Sequence, residues 1–179
     1  MNKPFSQACE NNKDPILSVL KRIFDSPCEV LEIGSGTGQH AIYFATHLPH
    51  VFWQPSDLTI NLPGINSWLD EARLVNIKSP MALDINHKPW PVSNIEAVFT
   101  ANTLHIMSWE SVQVFIQSLG EVMQTHAKFC CYGPFNVGGT YTSESNANFD
   151  IWLKEPDSLS AIRDLEAVVS LANDAGIKL

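Results

Sequence analysis

Three glycines fall at alternate positions directly after a short apolar run, in the segment VLEIGSGTGQH (30–40). They are Gly34, Gly36 and Gly38, and a carboxylate, Glu32, lies two residues before the first of them. Glycine permits positive φ and lets the backbone approach a ligand closely. The first turn of a helix behind such a loop offers unpaired N–H groups, which suit a carboxylate or a phosphate. The segment therefore predicts a loop that binds a nucleotide cofactor.

The spacing of these glycines distinguishes between the known classes of nucleotide-binding loop. A dinucleotide fingerprint requires G-x-G-x-x-G, and both possible frames fail because Gln39 and Ala41 occupy the position of the third glycine. The phosphate-binding pattern G-x-x-x-x-G-K-S/T does not occur in the sequence. The pattern that remains is E-x-G-x-G-x-G.

Two further acidic residues end predicted strands. Asp57 follows WQPS, and Asp84 lies in the segment LDI. A carboxylate only accepts hydrogen bonds, so Asp57 is suited to the two hydroxyl groups of a ribose. Each aspartate taken alone is equally typical of a turn or a helix cap. Glu32 is different, because an unpaired carboxylate at a buried strand end is costly.

These residues need a parallel sheet to bring them together. Five apolar runs predict strands, namely CEVLEI (28–33), VFWQP (51–55), PMALDI (80–85), IEAVFT (95–100) and KFCCY (128–132). Amphipathic helices separate them; the first is predicted to start at Asp14-Pro15, and the last to end at Gly176. Strands without apolar/polar alternation, separated by helices, imply a doubly wound α/β fold with a mostly parallel, Rossmann-like sheet. Ligands bind such sheets at the carboxyl ends of the strands.

Composition limits the classes of partner. The net charge is −8 and no cluster of basic residues occurs, which argues against nucleic acid as a substrate. No apolar run approaches the ~20 residues needed to cross a bilayer, and the polar N-terminus lacks the core of a signal peptide, so we expect a cytoplasmic protein. The 179 residues predict a single domain (1–179). The four cysteines are expected to be reduced thiols, and the six histidines show no metal-ligand spacing.

The motif E-x-G-x-G-x-G, with Asp57 and Asp84 after it, resembles the first motifs of the class I S-adenosylmethionine methyltransferases. The chain also resembles, more closely, an uncharacterised family of methyltransferase-like proteins known as a domain of unknown function. The matching segments include FSQACENNKDPIL (5–17), ANTLHIMSW (101–109) and TSESNANFD (142–150). The resemblance implies a methyltransferase that uses S-adenosylmethionine and releases S-adenosylhomocysteine. It does not supply the methyl acceptor.

The resemblance also implies roles for particular residues. We expect Asp57 at the ribose, Asp84 near the adenine amino group, Asn102 near the methionine part of the cofactor, and Lys13 at its carboxylate. The full set of expected cofactor contacts is Lys13, Glu32, Gly34, Ser35, Gly36, Thr37, Gly38, Asp57, Leu58, Asp84, Ile85 and Asn102. No metal is required, because the cofactor carries an already activated methyl group.

Candidates for acceptor binding lie in the second half of the chain. His105 is the best-placed base by position, although the sequence favours a residue that packs at the start of the following helix. The polar stretch 138–150 is predicted to be an irregular lid over the substrate. The expected pocket residues are Tyr132, Phe135, Ser143 and Asn146. The acidic composition favours a small neutral or cationic acceptor.

Two alternatives remain open from the sequence. One is a non-catalytic module that binds S-adenosylmethionine or a partner protein through the same fold. The other is a nicotinamide oxidoreductase, which Gln39 at the fingerprint position disfavours. Class I methyltransferases also end with an antiparallel strand pair at the sheet edge. The sequence stops at Leu179, where that pair should begin, so we expect those strands to be missing and the chain to be truncated. The sequence makes no prediction of the oligomeric state.

Overall fold

Five strands form one sheet in the order β3-β2-β1-β4-β5. The strands are β1 (Cys28–Ile33), β2 (Val51–Asp57), β3 (Met81–Ala82), β4 (Ile95–Ala101) and β5 (Met123–Tyr132). Strand β1 pairs in parallel with both β2 and β4, and β2 pairs in parallel with β3. The computed structural model, which describes residues 3–178, therefore confirms the predicted α/β fold with a mostly parallel sheet.

Among the described residues, six α-helices accompany the strands, and none lies between β3 and β4. They are α1 (Gln7–Ile23), α2 (Gln39–His47), α3 (Leu62–Ala72), α4 (Trp109–Val122), α5 (Glu144–Lys154) and α6 (Leu165–Asp174). A second, small sheet consists of β6 (Phe135–Asn136) and β7 (Arg163–Asp164), which pair in parallel. None of the helices described over residues 3–178 combines the length and the apolar character that a membrane span requires.

The chain divides into two compact units. The first contains residues 3–84, 94–100 and 124–131, and so carries most of the five-stranded sheet with α1, α2 and α3. The second contains residues 85–93, 101–123 and 132–178, with α4, α5, α6 and the small sheet. That residues 1–179 act as a single domain stays a prediction.

An aromatic cluster forms the core of the first unit. The Trp53 side chain on β2 is completely buried, and its ring centroid lies 5.5 Å from that of Phe44, 5.8 Å from that of Phe99 and 6.5 Å from that of Phe24. The last four residues of β1 are all buried. A strand covered on both faces cannot alternate between apolar and polar residues, which explains the continuous apolar pattern of the sequence.

The first helix begins eight residues earlier than predicted. It starts at Gln7, and the hydroxyl of Ser6 caps it by accepting a hydrogen bond from the backbone N–H of Cys9 at 3.3 Å. Pro15 therefore lies inside the helix, and Asp14 is not its cap. The expectation that Lys13 precedes the helix is wrong for the same reason. A proline removes only one backbone donor, and a long helix packed against its unit can tolerate that loss.

The third and fifth strands differ in length from the prediction. Strand β3 covers only residues 81–82, because the chain leaves the sheet soon after the N–H of Leu83 bonds to the carbonyl of Asp57 at 2.9 Å. Strand β5 starts at Met123, five residues before the predicted start. It lies at the sheet edge among the described residues, where exposed polar side chains are tolerated and hide the strand pattern. No terminal antiparallel strand pair joins the five-stranded sheet within residues 3–178.

The polar stretch after β5 is more regular than predicted. Residues 144–154 form α5, where no helix was predicted, and the role of residues 138–150 as a lid stays a prediction. The Ser143 hydroxyl caps this helix by accepting a hydrogen bond from the N–H of Asn146 at 3.1 Å. The large apolar residues of α5 are crowded into its second half, and among them only Leu153 is buried, so helical periodicity was not visible in the sequence. A serine followed by an acidic first turn is nevertheless a normal helix start.

The second unit is built on a close contact of α4 with the end of α6. A Cβ atom added at Gly120 would lie 2.4 Å from the carbonyl oxygen of Ala175, so only glycine fits there without movement. Gly176 has a φ of 82° just after α6, which confirms the predicted glycine cap. In the same unit the rings of Trp90 and Phe115 stack with centroids 6.1 Å apart.

Candidate cofactor site

The glycine loop connects β1 to α2 and has the backbone that the sequence predicts. Gly34, Gly36 and Gly38 have φ angles of 74°, 58° and 88°, in the region that side-chain-bearing residues avoid. A Cβ added at Gly36 would meet nothing within 4 Å. The backbone there borders open space, as a loop that receives a ligand requires.

Glu32 is buried near the end of β1, and its carboxylate is paired with hydrogen-bond donors. One carboxylate oxygen, Oε2, accepts hydrogen bonds from the indole N–H of Trp53 and the hydroxyl of Ser35, each at 2.9 Å. Only 2% of the residue is exposed. Burial raises the pKa of Glu32 to about 7, although both hydrogen bonds act to lower it. Glu32 therefore links the loop to the core of the first unit.

Asp57 holds the glycine loop at Gly36 by a hydrogen bond to the backbone. Its Oδ2 accepts a hydrogen bond from the N–H of Gly36 at 2.7 Å. Its Oδ1 accepts two, from the N–H of Leu58 and the side-chain amide of Asn61, both at 2.7 Å. The carboxylate is 8% exposed and is held by three donors. The side chain of Leu58 is 47% exposed beside it, an apolar surface next to a polar one.

The three predicted acidic residues lie on, or just after, neighbouring strands of the first unit. Ile33, the residue after Glu32, is in register with Ser56, and Asp57 is in register with Ala82 of β3. Asp84 follows β3 by two residues. The structure thus brings Glu32, Asp57 and the segment leading to Asp84 to the same, carboxyl, end of three adjacent strands, as the sequence predicts. Their contact with a cofactor stays a prediction.

Hydrogen bonds join the start of α1 to the end of the glycine loop, and the sequence did not predict this contact. The side chain of Gln39 accepts a hydrogen bond from the N–H of Ser6 at 2.6 Å and donates one to Glu10 at 2.7 Å. It also accepts one from the hydroxyl of Thr37 at 3.0 Å. The only signal in the sequence was Gln39 itself, a polar residue where dinucleotide folds have glycine.

Two further residues complete this contact between α1 and α2. A ring nitrogen of His40 lies 2.7 Å from Oδ1 of Asn12. Burial lowers the pKa of His40 to about 4, so the ring is neutral at physiological pH. Lys13 forms an ion pair with Glu10, and its ammonium group lies 5.0 Å from the ring centroid of Tyr43. The predicted contact of Lys13 with a cofactor carboxylate would therefore require this ion pair to open.

The second unit holds Asn102 and His105. Asn102 has a φ of 57°, and its N–H donates to the carbonyl of Tyr132 at 2.8 Å. His105 is 6% exposed, and its ring meets the edge of Phe149 with centroids 5.2 Å apart. Burial, with a smaller contribution from the charge of Arg163, lowers the pKa of His105 to about 4. The ring is neutral at pH 7 and can accept a proton, although a pKa this far below the operating pH makes it a weak base.

The remaining predicted residues take mainly local contacts. Asn146 donates its side-chain N–H to the hydroxyl of Thr142 at 2.8 Å, beside the capping bond of Ser143. Phe135 lies on β6, and Tyr132 is 39% exposed at the end of β5. Ile85 is buried and its carbonyl accepts a hydrogen bond from the indole of Trp90 at 3.2 Å. Their predicted contacts with ligands stay predictions.

A buried aspartate on α5 was not predicted at all. Asp150 is 2% exposed and accepts hydrogen bonds from the hydroxyl of Tyr141 at 2.8 Å, the ammonium of Lys154 at 2.5 Å and the N–H of Ile162 at 2.6 Å. These bonds fix α5 to the segments on both sides of it. Among residues 3–178, no three His, Cys, Asp or Glu side chains are grouped as ligands for a metal ion.

A family model matches residues 3–179, and its description reads "Protein of unknown function (DUF938)". The chain belongs to this family. The match confirms the resemblance to an uncharacterised family that the sequence segments indicated, and it covers both units of this DUF938 protein.

Solved methyltransferases share the fold of this DUF938 protein. An O-methyltransferase family protein from Burkholderia thailandensis superposes with a TM-score of 0.80 at 12% identity, over 94% of this chain and 52% of that one. The S-adenosylmethionine-dependent methyltransferase SibL gives 0.80 at 19% identity, over 94% and 49%. PigF, solved with SAH, gives 0.79 at 15%, over 90% and 49%. The chain spans about half the length of these proteins, and the likeness identifies the class I methyltransferase fold.

Proposed function

We propose that this protein binds S-adenosylmethionine at the carboxyl ends of β1, β2 and β3 and transfers its methyl group to a small-molecule acceptor. When bound, the cofactor supplies a methyl group on a positively charged sulfur, ready for displacement. The chain then has to hold the cofactor, orient it and exclude water, which contributes on the order of 7–11 kcal/mol to such reactions.

The observation that supports this proposal best is the hydrogen bond from the N–H of Gly36 to Asp57 beside open space at Gly36. It joins the glycine loop to the residue expected at the ribose. The exposed side chain of Leu58 offers an apolar surface next to it for the adenine ring. The carboxylate of Asp57 beside the loop favours a cationic cofactor over a dinucleotide phosphate.

The test is calorimetric titration of the purified protein with S-adenosylmethionine, S-adenosylhomocysteine and NAD. We expect binding of the first two, and at least about a tenfold loss of affinity for Asp57→Ala, because a hydrogen bond to a charged group is removed. Asp70→Ala is the matched control, since Asp70 is an exposed aspartate on α3. Binding of NAD alone, or equal effects of both substitutions, would contradict the proposal.

Transfer is tested separately from binding. The protein is incubated with S-adenosylmethionine labelled at the methyl group and the small-molecule fraction of a cell extract, and labelled products are identified by mass spectrometry. We propose His105 as the base, because it lies four residues after the carboxyl end of β4 and its ring is neutral. His105→Gln should then retain cofactor affinity and lose transfer at least about a hundredfold. Cofactor binding without any labelled product would favour the non-catalytic alternative.

A further inference from the structure

The carboxylate of Asp57 has little acceptor capacity left for a ligand. A carboxylate has about four lone-pair positions, two on each oxygen. Three are used, by the N–H groups of Leu58 and Asn61 on Oδ1 and by the N–H of Gly36 on Oδ2, all at 2.7 Å. One position on Oδ2 therefore remains for a hydroxyl group.

A ribose diol presents two hydroxyl donors, so one carboxylate in this state cannot accept both. Asn61 lies at the end of a short helical turn (Thr59–Asn61), and its own N–H bonds to the carbonyl of Leu58 at 2.9 Å. The turn brings Asn61 next to Asp57. Asn61 is exposed, and its side-chain N–H donates a hydrogen bond to Oδ1 of Asp57. The carbonyl oxygen of the same side chain is an acceptor at the same place.

We propose that Asn61 is the second ribose-recognition residue of this protein. Its amide N–H holds the Asp57 carboxylate, and its carbonyl oxygen accepts the ribose hydroxyl that Asp57 has no room to accept. Each residue then recognises one hydroxyl. The inference rests on the proposed function, because it assumes that an adenosyl group binds here.

The side chain of Asn61 has no evident role in holding the helix. Asn61 occupies the N-cap position of α3, yet its side chain makes no capping bond to that helix. Replacement by alanine removes the hydrogen bond to Asp57 but no helix cap, so it should lower the unfolding midpoint only slightly. Asn66 is the matched control, because it is an exposed asparagine on the same helix.

The experiment compares S-adenosylhomocysteine with its 2′-deoxy and 3′-deoxy analogues by calorimetric titration. In the wild type, loss of the hydroxyl that Asp57 accepts should cost at least about tenfold in affinity, and loss of the other about three- to tenfold. In Asn61→Ala, the smaller penalty should disappear and the larger one remain. In Asn66→Ala, both penalties should equal those of the wild type.

The outcomes distinguish this inference from the proposed function. If the wild type binds none of the three compounds, both are overturned. If it binds S-adenosylhomocysteine and Asn61→Ala keeps both hydroxyl penalties, only the role of Asn61 is overturned. The same holds if Asn61→Ala weakens all three compounds equally, because a purely structural role would act on every ligand alike.

Discussion

Replacing Glu32 by glutamine removes a buried ionisable group and preserves its size. Both donors in the structure, Trp53 and Ser35, bond to the same oxygen of Glu32, so the single carbonyl oxygen of glutamine can take its place. The substitution therefore isolates the cost of ionising the group. That cost depends on pH, because burial holds the pKa of Glu32 at about 7 in the folded protein.

The magnitude follows from the difference between the folded pKa of about 7 and the ordinary value of 4.5. Between these two pH values the folded protein keeps a proton that the unfolded chain has lost, so stability falls as pH rises. At about 1.4 kcal/mol per pH unit, the whole window is worth about 3 kcal/mol. Most of it lies between pH 5 and pH 8.

The assay is urea unfolding of wild type and Glu32→Gln followed by far-ultraviolet circular dichroism from pH 5 to pH 8. The wild type alone is not informative, because His40 and His105 have pKa values lowered to about 4 and gain stability over part of the same range. These contributions cancel in the difference between the two proteins. We expect Glu32→Gln to gain about 2–3 kcal/mol relative to wild type by pH 8.

The matched control is Glu29→Gln on the same strand, where solvent reaches the carboxylate and its side chain is 46% exposed. This variant should show almost no change with pH. A difference between wild type and Glu32→Gln that stays constant from pH 5 to pH 8 would refute the reasoning, because Glu32 would then not change its ionisation in that range.

Three further substitutions test other parts of the structure. Asp150→Asn removes a buried charge that accepts three hydrogen bonds and should lower the stability of α5 by about 2–4 kcal/mol. Hydrogen exchange in α5 should then be faster, whereas Glu155→Gln, an exposed control, should leave the exchange rate unchanged. Gly120→Ala places a methyl group 2.4 Å from the carbonyl oxygen of Ala175 and should cost at least about 1 kcal/mol in urea unfolding; an unchanged midpoint would show that α6 moves freely. His105→Phe should flatten the loss of stability on acidification from pH 6.5 to pH 4, and an unaltered slope would contradict its low pKa.

Local signals in the sequence predicted the centre of the candidate site. The glycines after β1 and the acidic residues after β1, β2 and β3 could be placed because parallel strands bring their carboxyl ends to one edge. The family resemblance added the identity of the cofactor. The positive φ angles of Gly34, Gly36 and Gly38 could be anticipated for the same local reason.

Contacts between distant residues could not be predicted in this way. Gln39 meets Ser6 and Glu10 across 33 and 29 residues, and no periodicity or motif encodes such pairs. The buried Asp150 was hidden in a stretch whose polar composition resembles a loop. Asn61 was overlooked because its contact with Asp57 depends on the turn that follows β2.

The hydrogen bond between the indole of Trp53 and Glu32 makes the fluorescence of Trp53 sensitive to the charge of Glu32. The indole nitrogen lies 2.9 Å from the carboxylate oxygen, and neither residue is more than 2% exposed. A change of charge at that distance alters the field on the chromophore directly. Emission from Trp53 should therefore follow the proton on Glu32, and a ligand that releases this proton would be detected without a label.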